Sequence, residues 1–107
     1  MKRLRLLYLK DSNLWFLNDS TVPMIAGIGT LEVLHLSSRD VTDRSLVHLA
    51  KLSELRELGL SGTSMTGQEV RELARLRHLE TLVVPKAAEA AAKELQASIP
   101  GLKVVVD

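Results

Sequence analysis

The chain has 107 residues, of which 46% are hydrophobic and 25% charged, and its formal net charge is +1. This size and composition predict one domain with a modest core, and the near-zero charge argues against a general attraction to nucleic acids or anionic membranes. The chain has no cysteine, which excludes disulfides, thiolate metal sites and cysteine nucleophiles and favours a cytoplasmic location.

The first segment, MKRLRLLYLKD, has the charge pattern of a signal peptide, but Arg5 interrupts its apolar stretch and Lys10 ends it. It matches instead a unit, L-x-x-L-x-L, that recurs along the chain. No apolar run approaches the roughly 20 residues that cross a bilayer, so we expect no membrane partner.

The L-x-x-L-x-L unit occurs three times in full, a fourth time with Val84 in place of its last leucine, and a fifth time in part. The copies begin at Leu4, Leu31, Leu55, Leu79 and Leu102. Their starts are 27, 24, 24 and 23 residues apart, and a nearly fixed period in this range predicts stacked structural repeats. We therefore divide the single domain, residues 1–107, into repeats at about 4–30, 31–54, 55–78 and 79–101 and a final strand at 102–107.

Each unit ends in residues that alternate between leucine and other types, which predicts a strand with one buried face. Between the strands, apolar residues three apart run from Leu46 to Leu52 and from Val70 to Leu76, which predicts helices. Parallel strands joined by helical crossovers predict an α/β fold that coils in a right-handed sense. Stacking of the repeats would join their leucines in one continuous core.

Helix starts are indicated by side-chain oxygens that can accept hydrogen bonds from the first free amides. Thr42 and Asp43 provide such oxygens in one repeat and Thr66 in the next. After Pro85 the pattern changes, because residues 86–99 are rich in alanine and have apolar residues on one face, which predicts a longer helix. We interpret this helix and the final strand as a unit that caps the core.

The segments LHLSSRDVTDRSLVHLAKL and LGLSGTSMTGQEVRELARL resemble the leucine-rich repeat family. The form is LxxLxLxxTxVTDxxLxxLxxL, which is common in bacterial proteins and related to the cysteine-containing repeats of F-box-type receptors. The match extends from Leu4 to Val106. Arg39 and Thr63 stand where many subfamilies have asparagine or cysteine, so we expect the usual buried ladder to be weak, and Gly67 replaces an aspartate.

This resemblance implies a curved, right-handed solenoid of about four repeats. Its parallel sheet would form the concave face, and its short helices would form the convex face. The resemblance also implies that the chain binds other proteins through the sheet face and the adjoining loops.

Strand alternation predicts which residues point outward from the sheet. The predicted columns are Leu6, Val33, Glu57, Thr81 and Val104, then Tyr8, His35, Gly59, Val83 and Val106, then Lys10, Ser37, Ser61 and Pro85. This face either contacts a partner or merely tolerates small and apolar residues. Its area of roughly 350 Å² is below the about 800 Å² per partner of a standard interface, so a firm complex would need loops, an edge or further repeats.

All three aromatic residues, Tyr8, Trp15 and Phe16, lie in the first repeat. Trp15 and Phe16 fall within its three-residue insertion. Such a cluster is typical of a binding hot spot. The alternative is that one of the two covers the first layer of the core as a cap.

The first strand begins close to the start of the sequence, and an exposed strand edge invites pairing with another chain. We expect either self-association through this edge or a position at the C-terminal end of a longer repeat protein. Lys2, Arg3, Arg5 and Lys10 lie here. We interpret them as charges that oppose such pairing or as a solvated basic end, rather than as a nucleic-acid site.

Catalysis finds little support in the sequence. His35 is predicted on the sheet face, His48 on a helix and His78 in a loop, so the three imidazoles do not converge. No H-E-x-x-H, phosphate-binding glycine loop or G-x-S-x-G element is present. We therefore expect no enzyme activity, no cofactor, no metal and no small-molecule substrate.

The expected function is a non-catalytic module that binds another protein through the sheet face, the first-repeat loop or the N-terminal edge. The candidate contact residues are Leu6, Tyr8, Lys10, Trp15, Phe16, Val33, His35, Glu57 and Val83. The alternative is a structural or self-associating unit, or the capping segment of a larger leucine-rich repeat protein.

Overall fold

The computed structural model describes residues 4–9 and 17–107. Over these residues it is an α/β fold with one five-stranded sheet, in which every neighbouring pair of strands is parallel. The strands lie side by side in chain order: β1 (Leu6–Leu9), β2 (Val33–Leu36), β3 (Glu57–Gly59), β4 (Thr81–Val84) and β5 (Lys103–Val106). The predicted α/β class with a parallel sheet is confirmed.

Short helices connect the strands. They are α1 (Val22–Ala26), a 3₁₀ helix (Asp43–Ser45) that continues into α2 (Leu46–Leu49), a 3₁₀ helix (Val70–Arg75), and a 3₁₀ helix (Lys86–Ala88) that continues into α3 (Glu89–Leu95). The predicted helices are present, but those of the middle repeats are shorter or tighter than α-helical spacing suggested. Among the described helices, none has the length and apolar character needed to span a bilayer.

The core lies between the sheet and the helices and consists mainly of leucines from the recurring unit. Leu34, Leu58 and Leu82 occupy paired positions on three neighbouring strands and are fully buried. Burying one leucine side chain contributes about 1.5–3 kcal/mol, so these rows hold adjacent strands together. Leu7 and Leu9 in β1 pack on the same core but are only half-buried, because β1 has a described strand on one side only.

The last strand departs from the predicted alternation. Lys103 and Val105 lie beside the outward residues of β4, in the positions that we predicted for Val104 and Val106. Val104 instead packs against the core. A change of register by one residue moves every side chain of a strand to the other face. The prediction was wrong because three successive valines suit either face, whereas the observed register leaves the charged Lys103 exposed.

The predicted helix starts are confirmed in one repeat and wrong in the next. Thr42 caps the 3₁₀ helix that begins at Asp43, where its side chain accepts a hydrogen bond from the Arg44 amide at 3.3 Å. Thr66 is not a cap, because the following helix begins at Val70. The Thr66 hydroxyl donates instead to the carboxylate of Asp43, at 2.6 Å.

Two aspartates link successive helical segments. The Asp19 carboxylate accepts hydrogen bonds from the Thr42 amide at 2.8 Å, the Thr42 hydroxyl at 2.6 Å and the buried Ser45 hydroxyl at 2.5 Å. Asp43 accepts equivalent bonds from the amide and hydroxyl of Thr66. Burial raises the pKa of Asp19, but the hydrogen bonds from Ser45 and Thr42 outweigh this effect and hold that pKa below its usual range.

The third position in this series is Gly67 rather than an aspartate. Its φ of 101° lies in the left-handed region, and a Cβ there would be 2.7 Å from the Cβ of Ala91 in α3. The alanine-rich helix therefore packs too closely to admit an aspartate side chain. Ala92, Leu95 and Ile99 of the same segment are buried, which confirms its predicted apolar face.

Replacing Asp19 with asparagine is expected to lower the free energy of unfolding by about 1–3 kcal/mol near neutral pH, because the buried Ser45 hydroxyl loses its charged acceptor. Folding lowers the pKa of Asp19, so the carboxylate stabilises the fold above its unfolded pKa of about 4. This contribution is lost as the pH falls through the lower, folded value. Urea denaturation at a series of pH values measures it. The two proteins should converge in stability at the acid end, and a difference independent of pH would contradict the role of the charge.

Candidate functional site

The side of the sheet opposite the core carries two columns of side chains, which the strand register brings into line. The first column is Leu6, Val33, Glu57, Thr81 and Lys103, and the second is Tyr8, His35, Gly59, Val83 and Val105. We call these residues the outer face. The side chains from β1 are the most exposed large apolar groups of this face, at 57% for Leu6 and 56% for Tyr8.

His35 lies at the centre of the outer face and is held between two neighbours. The Tyr8 ring stacks on the His35 ring, with centroids 4.8 Å apart and 16° between the planes. Toward β3, the imidazole occupies the space that a side chain at Gly59 would need, because a Cβ there would collide with His35 Nδ1. His35 is therefore only 9% exposed, whereas Tyr8 keeps more than half of its surface in solvent.

The His35 imidazole is also bonded to Glu57. Its Nε2 donates to the Glu57 carboxylate at 2.5 Å, and because a carboxylate only accepts, this nitrogen carries the proton. Nδ1 is buried beside Gly59 and has no hydrogen-bond partner in the described structure. The stack thus orients the Tyr8 ring, and the hydrogen bond holds a partly exposed Glu57 carboxylate beside His35.

A second set of polar residues crosses the sheet where the strands begin. We call Arg5, Glu32, Arg56 and Glu80 the charge ladder. Glu32 accepts hydrogen bonds from Nε and Nη2 of Arg5 at 2.7 and 2.9 Å and lies 3.9 Å from Nε of Arg56. Arg56 Nη1 donates to Glu80 at 2.7 Å. The charge therefore changes sign from each strand to the next.

The ladder residues shift the protonation equilibria of their neighbours. Hydrogen bonds from Arg5 hold the pKa of Glu32 below its usual range, and the positive charges of Arg5 and Arg56 add to this effect. The same hydrogen bond raises the pKa of Arg5. Exposed ion pairs contribute little to stability, so the buried leucines fix the strand register and the ladder follows from it. Sequence reasoning missed it, although the alternation is visible when the units are aligned on their first leucines.

The structure brings several predicted contact residues together. Tyr8, His35 and Glu57 form one cluster, and Leu6 and Val33 adjoin it in the first column. His35 presents little surface of its own, because Tyr8 covers it. It supports the cluster, and Tyr8 provides the exposed aromatic surface.

The remaining predicted contact residues lie apart from this cluster or cannot be placed. Val83 is half-buried in β4 and pairs in register with Gly59. Lys10, Trp15 and Phe16 lie outside the described residues. The interpretation of the aromatic loop as a hot spot or as a cap therefore stays a prediction.

The stack and the hydrogen bond of the cluster hold the side chains of Tyr8, His35 and Glu57 in position. Nε2 of His35 is bonded to Glu57 and Nδ1 is buried, so both imidazole nitrogens are removed from contact with a ligand. His48 lies in α2 and His78 in the loop before β4. In residues 4–9 and 17–107, no group of three histidine, aspartate or glutamate side chains is placed to hold a metal ion.

Replacing Gly59 with alanine is expected to displace His35 and to break both its stack with Tyr8 and its bond to Glu57. The collision of the new Cβ with the imidazole should lower the free energy of unfolding by about 1–3 kcal/mol. Urea denaturation and the NMR shifts of the His35 ring protons measure the two effects. Gly29→Ala is the control, since nothing lies within 4 Å of its added Cβ. Unchanged His35 resonances in Gly59→Ala would contradict the packing described above.

Sequence comparison does not assign the chain to a family. No protein-family model matches it, and no curated protein sequence is significantly similar to it. The function must therefore be argued from the outer face, the His35 cluster and the charge ladder.

Proposed function

We propose that the chain is a non-catalytic protein-interaction module that binds a partner protein through the outer face. The stack of Tyr8 on His35 carries this proposal, because it holds a largely exposed aromatic ring in one orientation. Aromatic residues provide much of the binding energy at protein interfaces, and a ring that is ordered before binding loses less conformational entropy. Leu6 and Val33 extend the apolar surface, and Glu57 adds a carboxylate at its rim.

We also propose that the fold is a leucine-rich repeat solenoid. It would be right-handed, with about four repeats, the outer face on the concave side, the helices on the convex side, and α3 and β5 as a cap. The sequential order of parallel strands supports this architecture. So do the aspartate bonds Asp19–Thr42 and Asp43–Thr66, which recur at equivalent positions of successive sequence repeats. In such an array each repeat covers the leucines of its neighbour.

The geometry of His35 supports binding rather than catalysis. A general acid or base must reach the proton that it transfers, and neither nitrogen of His35 is free to do so. We therefore propose no catalytic role for His35, and the partner that we propose is another protein. A cytoplasmic setting remains part of this proposal.

A structural role is the second candidate, as a self-associating unit or as the terminal segment of a larger repeat protein. The observation that favours it is the exposure of Leu4, Leu6 and Tyr8 on or beside the edge strand β1. Sedimentation velocity at several protein concentrations separates the candidates. A monomer at all concentrations would exclude self-association.

Tyr8→Ala tests the proposed function. With the chain as bait in affinity capture from the source cell, we expect this substitution to reduce retention of a specific partner about 10-fold or more, because a central aromatic contact is lost. Val83→Lys, on β4 of the same face, should also reduce retention. Thermal unfolding of each variant verifies that the fold is intact.

Val47→Ala is the matched control, because Val47 lies in α2 and is 42% exposed. A partner kept by the wild type and by Val47→Ala, but lost from both outer-face variants, supports the proposal. Equal retention by all four proteins would contradict it.

A further inference from the structure

We propose that an extended segment of a partner protein binds beside β1 as a sixth, parallel strand, on the side of β1 that faces away from β2. An acidic residue of this segment would lie beside Arg5, and apolar residues would lie beside Leu6 and Tyr8. This inference rests on the proposed function in one respect, namely that the partner is a protein. The surface is the edge of the sheet, which shares Leu6 and Tyr8 with the outer face and adds Arg5 and the backbone of β1. β1 lies at one end of the described strand order.

The backbone of β1 has polar groups directed away from the sheet. The carbonyls of Arg5 and Leu9 accept hydrogen bonds from amides in and beside β2. Successive residues of a strand direct their amides and carbonyls to opposite sides. The amides and carbonyls of Leu6 and Tyr8 therefore point away from β2, to the side on which the described residues place no strand, and a further strand there can bond to them.

Among the described residues, the side chains of β1 are less covered than those of the neighbouring strand β2. Leu4, Leu6 and Tyr8 are exposed by 45%, 57% and 56%. Leu7 and Leu9 face the core but are only half-buried, whereas their counterparts in β2 are fully buried. An added strand with apolar residues on both of its faces would cover the exposed side chains on one face of β1 and the half-buried leucines on the other.

The charge ladder specifies the charge of that strand. Glu32 has an arginine on each side, and Arg56 has a glutamate on each side. Among the described residues, Glu32 is the one acidic side chain that forms an ion pair with Arg5, and the Arg5 side chain is 64% exposed. An acidic residue on an added strand would give Arg5 the second carboxylate that Arg56 already has.

A second copy of this chain does not fit the same position. Its β5 has Leu102 at the ladder position and the cation Lys103 next to it, so head-to-tail pairing would bring like charges near Arg5. Pairing of β1 with β1 is also unfavourable, because residues 1–10 contain four cations and no acidic residue. Like charges on adjacent strands destabilise their pairing.

The register of the sheet predicts the order of residues in the bound segment. In β2, the acidic Glu32 is followed by residues 33–36, which alternate between the outer face and the core. A bound segment should likewise have an acidic residue followed by mainly apolar ones. Residues 31–37, LEVLHLS, have this order, and in the protein they place Glu32 beside Arg56 of the neighbouring strand. This sequence is therefore a suitable probe.

The test measures binding of a fluorescently labelled LEVLHLS peptide to the full chain by fluorescence anisotropy. Arg5→Glu is expected to weaken binding about 10-fold, because an attractive pair becomes a repulsive one. Lys103→Glu makes the same charge change at the opposite edge of the sheet and should leave binding unchanged. A peptide carrying Glu32→Lys should bind the wild type weakly and Arg5→Glu more strongly, which controls for loss of folding in the protein variant.

Two methylated peptides test strand addition itself. In β2 the carbonyl of Glu32 accepts hydrogen bonds from amides in and beside β3. Because successive residues alternate, the amide and carbonyl of Leu34 also face β3, and those of His35 face the opposite side. Methylating the peptide nitrogen of Leu34 should weaken binding about 10-fold. Methylating that of His35 should have a much smaller effect.

The outcomes separate this inference from the proposed function. Absence of peptide binding, or binding that survives both Arg5→Glu and methylation at Leu34, overturns the edge site. Self-association that Arg5→Glu abolishes also overturns it, because the occupant is then a second copy. Val83 lies on β4, away from the edge. If the peptide behaves as expected while Val83→Lys leaves the captured partner unaffected, the outer-face function fails and the edge site stands.

Discussion

The alignment of inward leucines across parallel strands is the constraint on which the rest of the structure depends. Leu34, Leu58 and Leu82 lie in register and are fully buried, and a slip of one residue would turn such side chains into solvent. Once these rows are in register, residues at any other fixed offset from the leucines also lie in line. The outer face, the charge ladder and the aspartate bonds are therefore consequences of how the core packs.

The aspartate bonds between successive segments lie at or before the helix starts. Thr63 bonds only to the nearby Leu60 carbonyl among the contacts described for its side chain, at 2.6 Å, and Arg39 is exposed. Asp19 and Asp43 instead accept bonds from the following segment. A carboxylate suits this role because it can accept from an amide and a hydroxyl together. The polar links thus require little room inside the leucine core.

The strands and the inward leucines could be predicted from the sequence because their period is short and local. Which residues of β5 face the core could not be predicted, because the three valines Val104–Val106 suit either face of the sheet. The burial of His35 depends on a side chain that Gly59, on another strand, does not have, and no local pattern records that relation. Whether Tyr8, Leu6 and Val83 contact a partner depends on a second molecule. The structure of one chain defines the exposed surface and the neighbours of these residues, and binding experiments identify the partner molecule that contacts them.

The alternation of the charge ladder restricts how a chain of this kind can change in length. Duplicating one unit, or deleting an internal one, would bring two arginines or two glutamates onto adjacent strands. Adding or removing two consecutive units would keep every neighbour opposite in charge. The leucine pattern thus repeats with every unit, whereas the charge pattern repeats with every second unit. Inside the array, gain or loss of consecutive units in even numbers preserves both patterns.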